Sequence, residues 1–205
     1  MRKTNNPTCY RQELKDKILT VAMKEFKQKG IRSVKMDDIA NLLSISKRTM
    51  YEIYADKEHL LLEGVCCNEK YKTERVEKFS NDPHHNVMDI IMEVYHLQME
   101  DLAKTNPLFF AELKRYPKVM SYLQERHVDK ERKSQSFFLR GVEEGYFRAD
   151  VDYNIVSRIG NASILYVMEN QLYREFELQH IFRNIIVLFM RGFCTDKGLA
   201  IIEKL

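Results

Sequence analysis

Between Ser46 and Tyr54 the chain reads Ser-Lys-Arg-Thr-Met-Tyr-Glu-Ile-Tyr, a run that mixes hydroxyl, cationic and anionic side chains. If the run is helical, Met50, Ile53 and Tyr54 turn inward and Lys47, Arg48, Thr49, Tyr51 and Glu52 stay on the outer faces. Lys and Arg can reach phosphate or a guanine edge, Thr and Tyr hydroxyls can donate to phosphate, and Glu can accept from cytosine. An α-helix carrying such groups fits the major groove. The same residue types also occupy ordinary solvated helix faces, so the run needs a structural frame. Other constellations lead elsewhere or nowhere. Glu93-x-x-His96 has the spacing found in di-iron helical bundles, but those sites need a second such pair and two further carboxylates, and no second pair exists. His84-His85 beside Pro83 is a loop pair, not a metal site. Cys9, Cys66, Cys67 and Cys194 match neither a CxxC motif nor a zinc spacing and read as four reduced thiols. No Gly-rich phosphate loop and no nucleophile elbow occur. The expectation is therefore a protein without catalytic residues, metal or cofactor, with a helical metalloenzyme as the competing class.

The elements that must position residues 46–54 are legible from periodicity. Leu14, Ile18, Ala22 and Phe26 recur every four residues and predict a helix over Arg11–Lys29, with Gly30 after Lys27 and Lys29 as its stop. A short second helix spans Met36–Leu43, with Asp37 and Asp38 where the helix dipole favours carboxylates. Ser44-Ile45-Ser46 breaks it, Ser46 caps a third helix through Tyr54, and Asp56 caps a fourth towards Ser80. Two short helices joined by a tight turn, the second rich in basic and hydroxyl groups, form a helix-turn-helix candidate. After Asn81-Asp82-Pro83 come helices at about 87–103, from Leu108, at about 119–144, about 152–173 and about 178–193. The 87–103 helix is apolar nearly all round and is expected at the centre of its fold. With seven Gly, four Pro and no strand alternation, the chain reads as all-α, with about nine helices.

Charge divides along the same line. Residues 1–56 hold 12 Lys/Arg against 7 Asp/Glu, a net of +5, while residues 57–205 hold 21 against 23, a net of −2. A basic N-terminal segment suggests an anionic partner at that end, although solvated helix faces alone could produce it. The division predicts a DNA-binding domain at 1–56 and a larger helical domain at 57–205. No apolar run is long enough to span a membrane, and the polar N-terminus lacks a signal-peptide core, so a cytoplasmic protein is expected.

Residues 31–62, IRSVKMDDIANLLSISKRTMYEIYADKEHLLL, resemble the DNA-binding region of the tetracycline-repressor (TetR) family. The resemblance rests on Gly30, Met36-Asp37-Asp38-Ile39-Ala40, Ser46-Lys47-Arg48-Thr49-Met50-Tyr51, Tyr54 and Asp56-Lys57-Glu58, in the family's order and spacing. Three positions depart from the common pattern. Ser44 stands where Gly is frequent, Lys35 where Thr or Ser often caps the second helix, and Tyr54 where Phe is commoner. The resemblance implies that Ser46, Lys47, Arg48 and Glu52 face base edges or neighbouring phosphates. It implies that Thr49, Tyr51 and Lys57 touch the DNA backbone. Lys35 and Met36 would approach a flanking phosphate, Met36 through its N–H at a helix start. It further implies a bacterial repressor that binds a palindromic double-stranded operator as a homodimer and is released by a small-molecule effector.

The remainder is less specific. Gly145-x-Phe147-Arg148-x-Asp150 is similar to the junction before the last two helices of many family members. Residues 185–190, Ile-Ile-Val-Leu-Phe-Met, are apolar on every face, so this helix is expected to be covered on both sides, one of them by a second subunit. Small residues of the preceding helix, Gly160, Ala162 and Ser163, allow close approach. The predicted dimer interface is Ile159, Gly160, Ser163, Val167, Phe182, Ile186, Phe189 and Met190. Candidate effector-lining residues are Met92, Tyr95, Met99, Phe110, Phe137, Phe138 and Tyr166, whose aromatic and thioether groups suit an apolar ligand or simply pack a core. A DNA-binding regulator without an effector keeps the same fold.

Overall fold

The computed structural model describes residues 7–203, and of residues 7–9 and 127–133 the backbone only. Among the described residues there are ten α-helices: α1 (Pro7–Lys29), α2 (Met36–Leu42), α3 (Lys47–Ile53), α4 (Lys57–Ser80), α5 (Val87–Ala103), α6 (Pro107–Leu113), α7 (Pro117–Glu143), α8 (Tyr153–Glu169), α9 (Leu178–Phe193) and α10 (Asp196–Ile202). A single 3-10 turn, Leu172–Arg174, separates α8 from α9. The only extended pairing among them is an isolated antiparallel bridge between Phe147 and Cys194. The all-α expectation holds. α10 is the element that periodicity did not reveal: it is seven residues long, with Gly198 inside it and Thr195 as its cap.

The chain folds into two compact units. The first comprises residues up to 70 together with 108–122; the second comprises 71–107 and 123–205. The first unit thus runs past the 56/57 boundary read from charge and takes in α6 and the start of α7. Its core is the stripe the spacing predicts. Ile18, Ala22 and Phe26 of α1 are fully buried, as are Ile39 and Ala40 of α2, Met50 of α3, and Leu60 and Leu61 of α4.

The second unit is organised around aromatic rings. Phe147 lies in a buried cluster with Val87, Met88, Met190, Phe193, Cys194 and Ile202. Its ring meets Phe193 edge-on at 5.2 Å between centroids, and Phe138 stacks on Tyr153 at 4.5 Å. The segment 145–152 delivers Phe147 to this cluster by local chemistry. Gly145 ends α7 in the left-handed region (φ +77), where a side chain would be strained. The N–H groups of Tyr146 and Phe147 then bond back to the Gly141 carbonyl at 2.9 and 3.0 Å. Arg148 and Asp150 form a two-pronged pair at 3.0 and 2.7 Å. Asp152 caps α8 through the N–H groups of Asn154 and Ile155. α5 departs from its expected all-round burial. Val87, Met88, Ile90, Tyr95, Leu97 and Leu102 are buried, but Val94 and His96 are exposed.

Two outcomes follow. A methyl group at Gly141 would meet the Phe147 ring at 1.9 Å, so Gly141→Ala should lower unfolding stability by about 1–3 kcal/mol in urea titration. Burial also raises the Cys194 thiol pKa to about 11. The unfolded thiol ionises near pH 8.5, so between there and about 11 the unfolded chain holds fewer protons and stability falls as pH rises. Cys194→Ala should flatten that alkaline limb in pH-dependent denaturation.

Candidate nucleic-acid interface

The helix-turn-helix is assembled from caps and one buried face. α1 ends at Gly30 (φ +83), whose N–H bonds to the Phe26 carbonyl at 3.0 Å. Lys35 precedes α2 and its ammonium cannot accept a bond, so the expected Thr/Ser cap is absent. Asp38 supplies the other half of a capping box instead: its carboxylate accepts the Lys35 N–H at 2.8 Å. The turn after α2 keeps the left-handed conformation that glycine favours, with Ser44 at φ +52. It is held by the Ile45 N–H on the Ala40 carbonyl at 3.0 Å. Ser46 caps α3, its hydroxyl accepting the Thr49 N–H at 3.0 Å and meeting the Thr49 hydroxyl at 2.8 Å.

Met50 and Tyr54 are buried and Ile53 is half-buried, which rolls the opposite face of α3 outward. Lys47, Arg48, Tyr51 and Glu52 stand on that outward face, together with Ser46 at its start, and Thr49 is half-buried beside them. The Lys47 and Arg48 side chains are 67% and 89% exposed. Neither cation is unopposed. Lys47 Nζ lies 2.5 Å from Asp37 of α2, and Arg48 Nε lies 2.8 Å from Glu52 one turn on. Hydrogen bonding to these carboxylates raises both pKa values, so both groups stay cationic. Arg11 of α1 donates to the Glu52 carbonyl at 3.1 Å, a cation at the C-terminal end of α3 where the helix dipole favours it.

The flanking residues divide. Lys35 is exposed, and Met36 buries its side chain at the start of α2. Lys57 is the residue whose setting differs most from a phosphate contact. Its ammonium donates to the Ile31 carbonyl at 2.8 Å, and burial lowers its pKa. It braces the α1–α2 loop. Periodicity also carried no signal for two contacts from α6 and α7 inside this unit: Glu112 accepts the Arg32 N–H at 2.7 Å, and Glu58 accepts the Lys118 N–H at 3.0 Å. Tyr54 replaces the commoner Phe with a buried hydroxyl whose pKa is raised by burial and by nearby Glu63, and the Lys15 ammonium lies 5.7 Å from its ring.

The residues expected to line an effector site fall in both units. Phe110 belongs to the first unit, edge-on to Phe109 at 5.5 Å. Phe137 and Phe138 pack into the aromatic cluster, Tyr95 is buried and stacks on Phe182 at 6.5 Å, and Met92 and Met99 are half-buried on α5. Tyr166 is 59% exposed. A groove of about 410 Å³ in the second unit is lined instead by Leu102, Thr105, Pro107, Tyr173, Phe176 and Leu178, among others.

The expected dimer residues divide too. Ile159 is exposed, a side chain at Gly160 would meet open space, and Ser163 is half-buried. Val167 and Met190 are buried within their own unit, Ile186 and Phe189 pack on its core, and Phe182 stacks on Tyr95. α9 therefore turns most of its apolar residues inward and presents Leu188, 72% exposed, outward. Glu93 is engaged by Arg75 Nε at 2.7 Å, and His96 is exposed.

A capped, buried-face helix-turn-helix with hydroxyl and charged groups on its outward face defines a DNA-binding protein of the bacterial regulator class. Comparison with known proteins agrees. Residues 18–63 match the model for bacterial regulatory proteins of the tetR family. The HTH-type transcriptional repressor KstR2 of Mycobacterium tuberculosis is 26% identical over 160 residues, covering 69% of this chain and 72% of that protein. The solved structure of KstR2, described as a ketosteroid transcriptional regulator, overlays with a TM-score of 0.60 at 21% identity, over 95% of this chain and all of the other. A TetR-family regulator from Marinobacter aquaeolei overlays at 0.74 and 19% identity, over 93% of this chain and 97% of that one. A putative regulator from Saccharomonospora viridis, solved with choline, overlays at 0.70 and 18% identity, over 90% and 99%. Over residues 18–63 the chain is thus similar to the DNA-binding region of tetR-family bacterial regulators, and its fold is that of solved regulators of that family.

The strained turn yields a test. Left-handed backbone costs a non-glycine residue about 1–2 kcal/mol, and glycine's extra unfolded-state freedom returns part of this. Ser44→Gly should therefore raise unfolding stability by about 0.5–1 kcal/mol in urea titration while leaving DNA affinity unchanged.

Proposed function

We propose that this chain is a cytoplasmic repressor that binds a palindromic operator as a homodimer and leaves it on binding a small apolar effector. The carrying observation is α3. Met50 and Tyr54 anchor it from below, Ser46 caps it, and Lys47, Arg48, Tyr51 and Glu52 stand outward, a set able to contact both phosphates and base edges. Thr49 and Ser46 sit where the helix start approaches the backbone, with Lys35 and the N–H of Met36 on its flank.

The homodimer reading is supported by an apolar stripe on α8. Ile155, Ile159 and Tyr166 are exposed along it at near-helical-turn intervals, Gly160 leaves room for close approach, and Leu188 of α9 is exposed as well. Such a set is costly to leave in water, and a second copy of the same stripe covers it. Two copies of α3 must then reach successive major grooves about 34–36 Å apart, which requires an operator of two-fold symmetry.

Effector release draws on relatives. KstR2 is described as a ketosteroid regulator, and the Saccharomonospora viridis protein was solved with choline. Half-buried Met92 and Met99 of α5, beside buried Tyr95, offer this chain adaptable apolar groups in the second unit. α4 and α7 each run from one unit into the other, and a third crossing falls at Pro107–Leu108; of these, α4 is the route that starts beside α3.

The test is to sequence the genomic fragments retained by the purified chain, beside the double variant Lys47→Ala/Tyr51→Ala. A shared palindrome is expected, bound about 10–100-fold more weakly by the variant. Retention of nothing specific even at low salt, where phosphate contacts are strongest, would remove the operator reading.

A further inference from the structure

Resting on the reading of α3 as the DNA-facing helix, we infer that Asp37 is a specificity-determining residue: its carboxylate holds the Lys47 ammonium in place and withholds it from indiscriminate phosphate binding. Asp37 lies in the first turn of α2 and Lys47 is the first residue of α3, so the pair bridges the two helices of the motif. The 2.5 Å contact joins an ammonium 67% exposed to a carboxylate 37% exposed. The capping contact to the Lys35 N–H at the start of α2 comes from Asp38, not from Asp37. Its contact with exposed Lys47 places a negative charge beside a cation expected to meet a polyanion.

That arrangement has a directional consequence. A free lysine gains affinity for any phosphate by releasing a counterion. A lysine already neutralised by Asp37 gains less, since leaving the carboxylate exposes an anion next to DNA. The penalty falls fully on non-specific complexes, where Lys47 must swing to whichever phosphate is near. In the operator complex the carboxylate instead orients the ammonium, removing part of the side chain's rotamer freedom before contact. The pairing of Arg48 with Glu52 has the same character within α3. The outward face therefore presents its two leading cations already opposed by carboxylates, so non-specific attraction is damped while geometry is kept.

The experiment compares the full chain with Asp37→Asn, which keeps size and removes charge. Binding is followed by fluorescence anisotropy over a salt series, first to a short duplex of scrambled sequence and then to a fragment retained in the selection above. Asp37→Asn should bind the scrambled duplex about fivefold to tenfold more tightly, with a salt slope steeper by about one. Its affinity for the retained fragment should rise less, so the ratio between the two falls. In a Lys47→Ala background the effect of Asp37→Asn should shrink below about twofold. An unchanged slope, an equal rise on both duplexes, or a full effect without Lys47 each overturns the inference. If Lys47→Ala alone alters binding to neither duplex, it is the reading of α3 that fails. Thermal melting of each variant checks that the fold is intact.

Discussion

Helices α2 and α3 are seven residues each, far below the length at which an isolated helix is stable in water, so neither can hold its shape without a core beneath it. Met50 is the residue that joins α3 to that core. It is fully buried, in a unit whose interior is built from Ile18, Ala22 and Phe26 of α1 and Ile39 and Ala40 of α2. Every outward residue of α3 takes its direction from that inward anchor, because a helix that buries position 50 must expose 48, 51 and 52. Caps then fix the ends: Asp38 at the start of α2, Ser46 at the start of α3, and Arg11 on the Glu52 carbonyl near the end of α3.

The same economy of charge runs through the first unit. Its excess of cations is not displayed as a bare positive field. Lys47 and Arg48 are opposed by carboxylates, and Lys57 is turned onto a backbone carbonyl. Glu112 and Glu58 accept backbone N–H groups that would otherwise be orphaned, at the α1–α2 loop and the start of α7. Exposed ion pairs contribute little to folding, typically about 0–1 kcal/mol. Their value on this face is geometric: each fixes where a cation stands before a polyanion arrives.

What could be read from the sequence follows from how far apart the determining residues lie. The four-residue recurrence of Leu14, Ile18, Ala22 and Phe26, the stop at Gly30 and the cap at Ser46 are local signals, and α1 and α3 were legible from them. Ser44 was legible as a strained turn only through the resemblance, which puts it where glycine is frequent. The Asp37–Lys47 and Glu112–Arg32 contacts were not, since they depend on side-chain rotamers and on elements up to 80 residues apart. Lys57 was read through a resemblance, and its carbonyl partner is a tertiary fact that no spacing encodes. α10 was missed because seven residues containing a glycine give too short a period to detect.

The second unit shows why apolar composition alone does not assign a pocket or an interface. Phe137, Phe138, Phe147, Tyr153 and Phe193 are close enough to tile one another, so core packing by itself accounts for their aromatic character. The same logic sorts α9. In Ile185–Met190 every residue is apolar, so composition is silent on which face is inward. Packing decides it, taking Ile186, Phe189 and Met190 into the core and leaving Leu188 outside. The informative residues for association are therefore not the most hydrophobic ones in the sequence. They are those, such as Ile155, Ile159 and Leu188, that a filled core has no room to take.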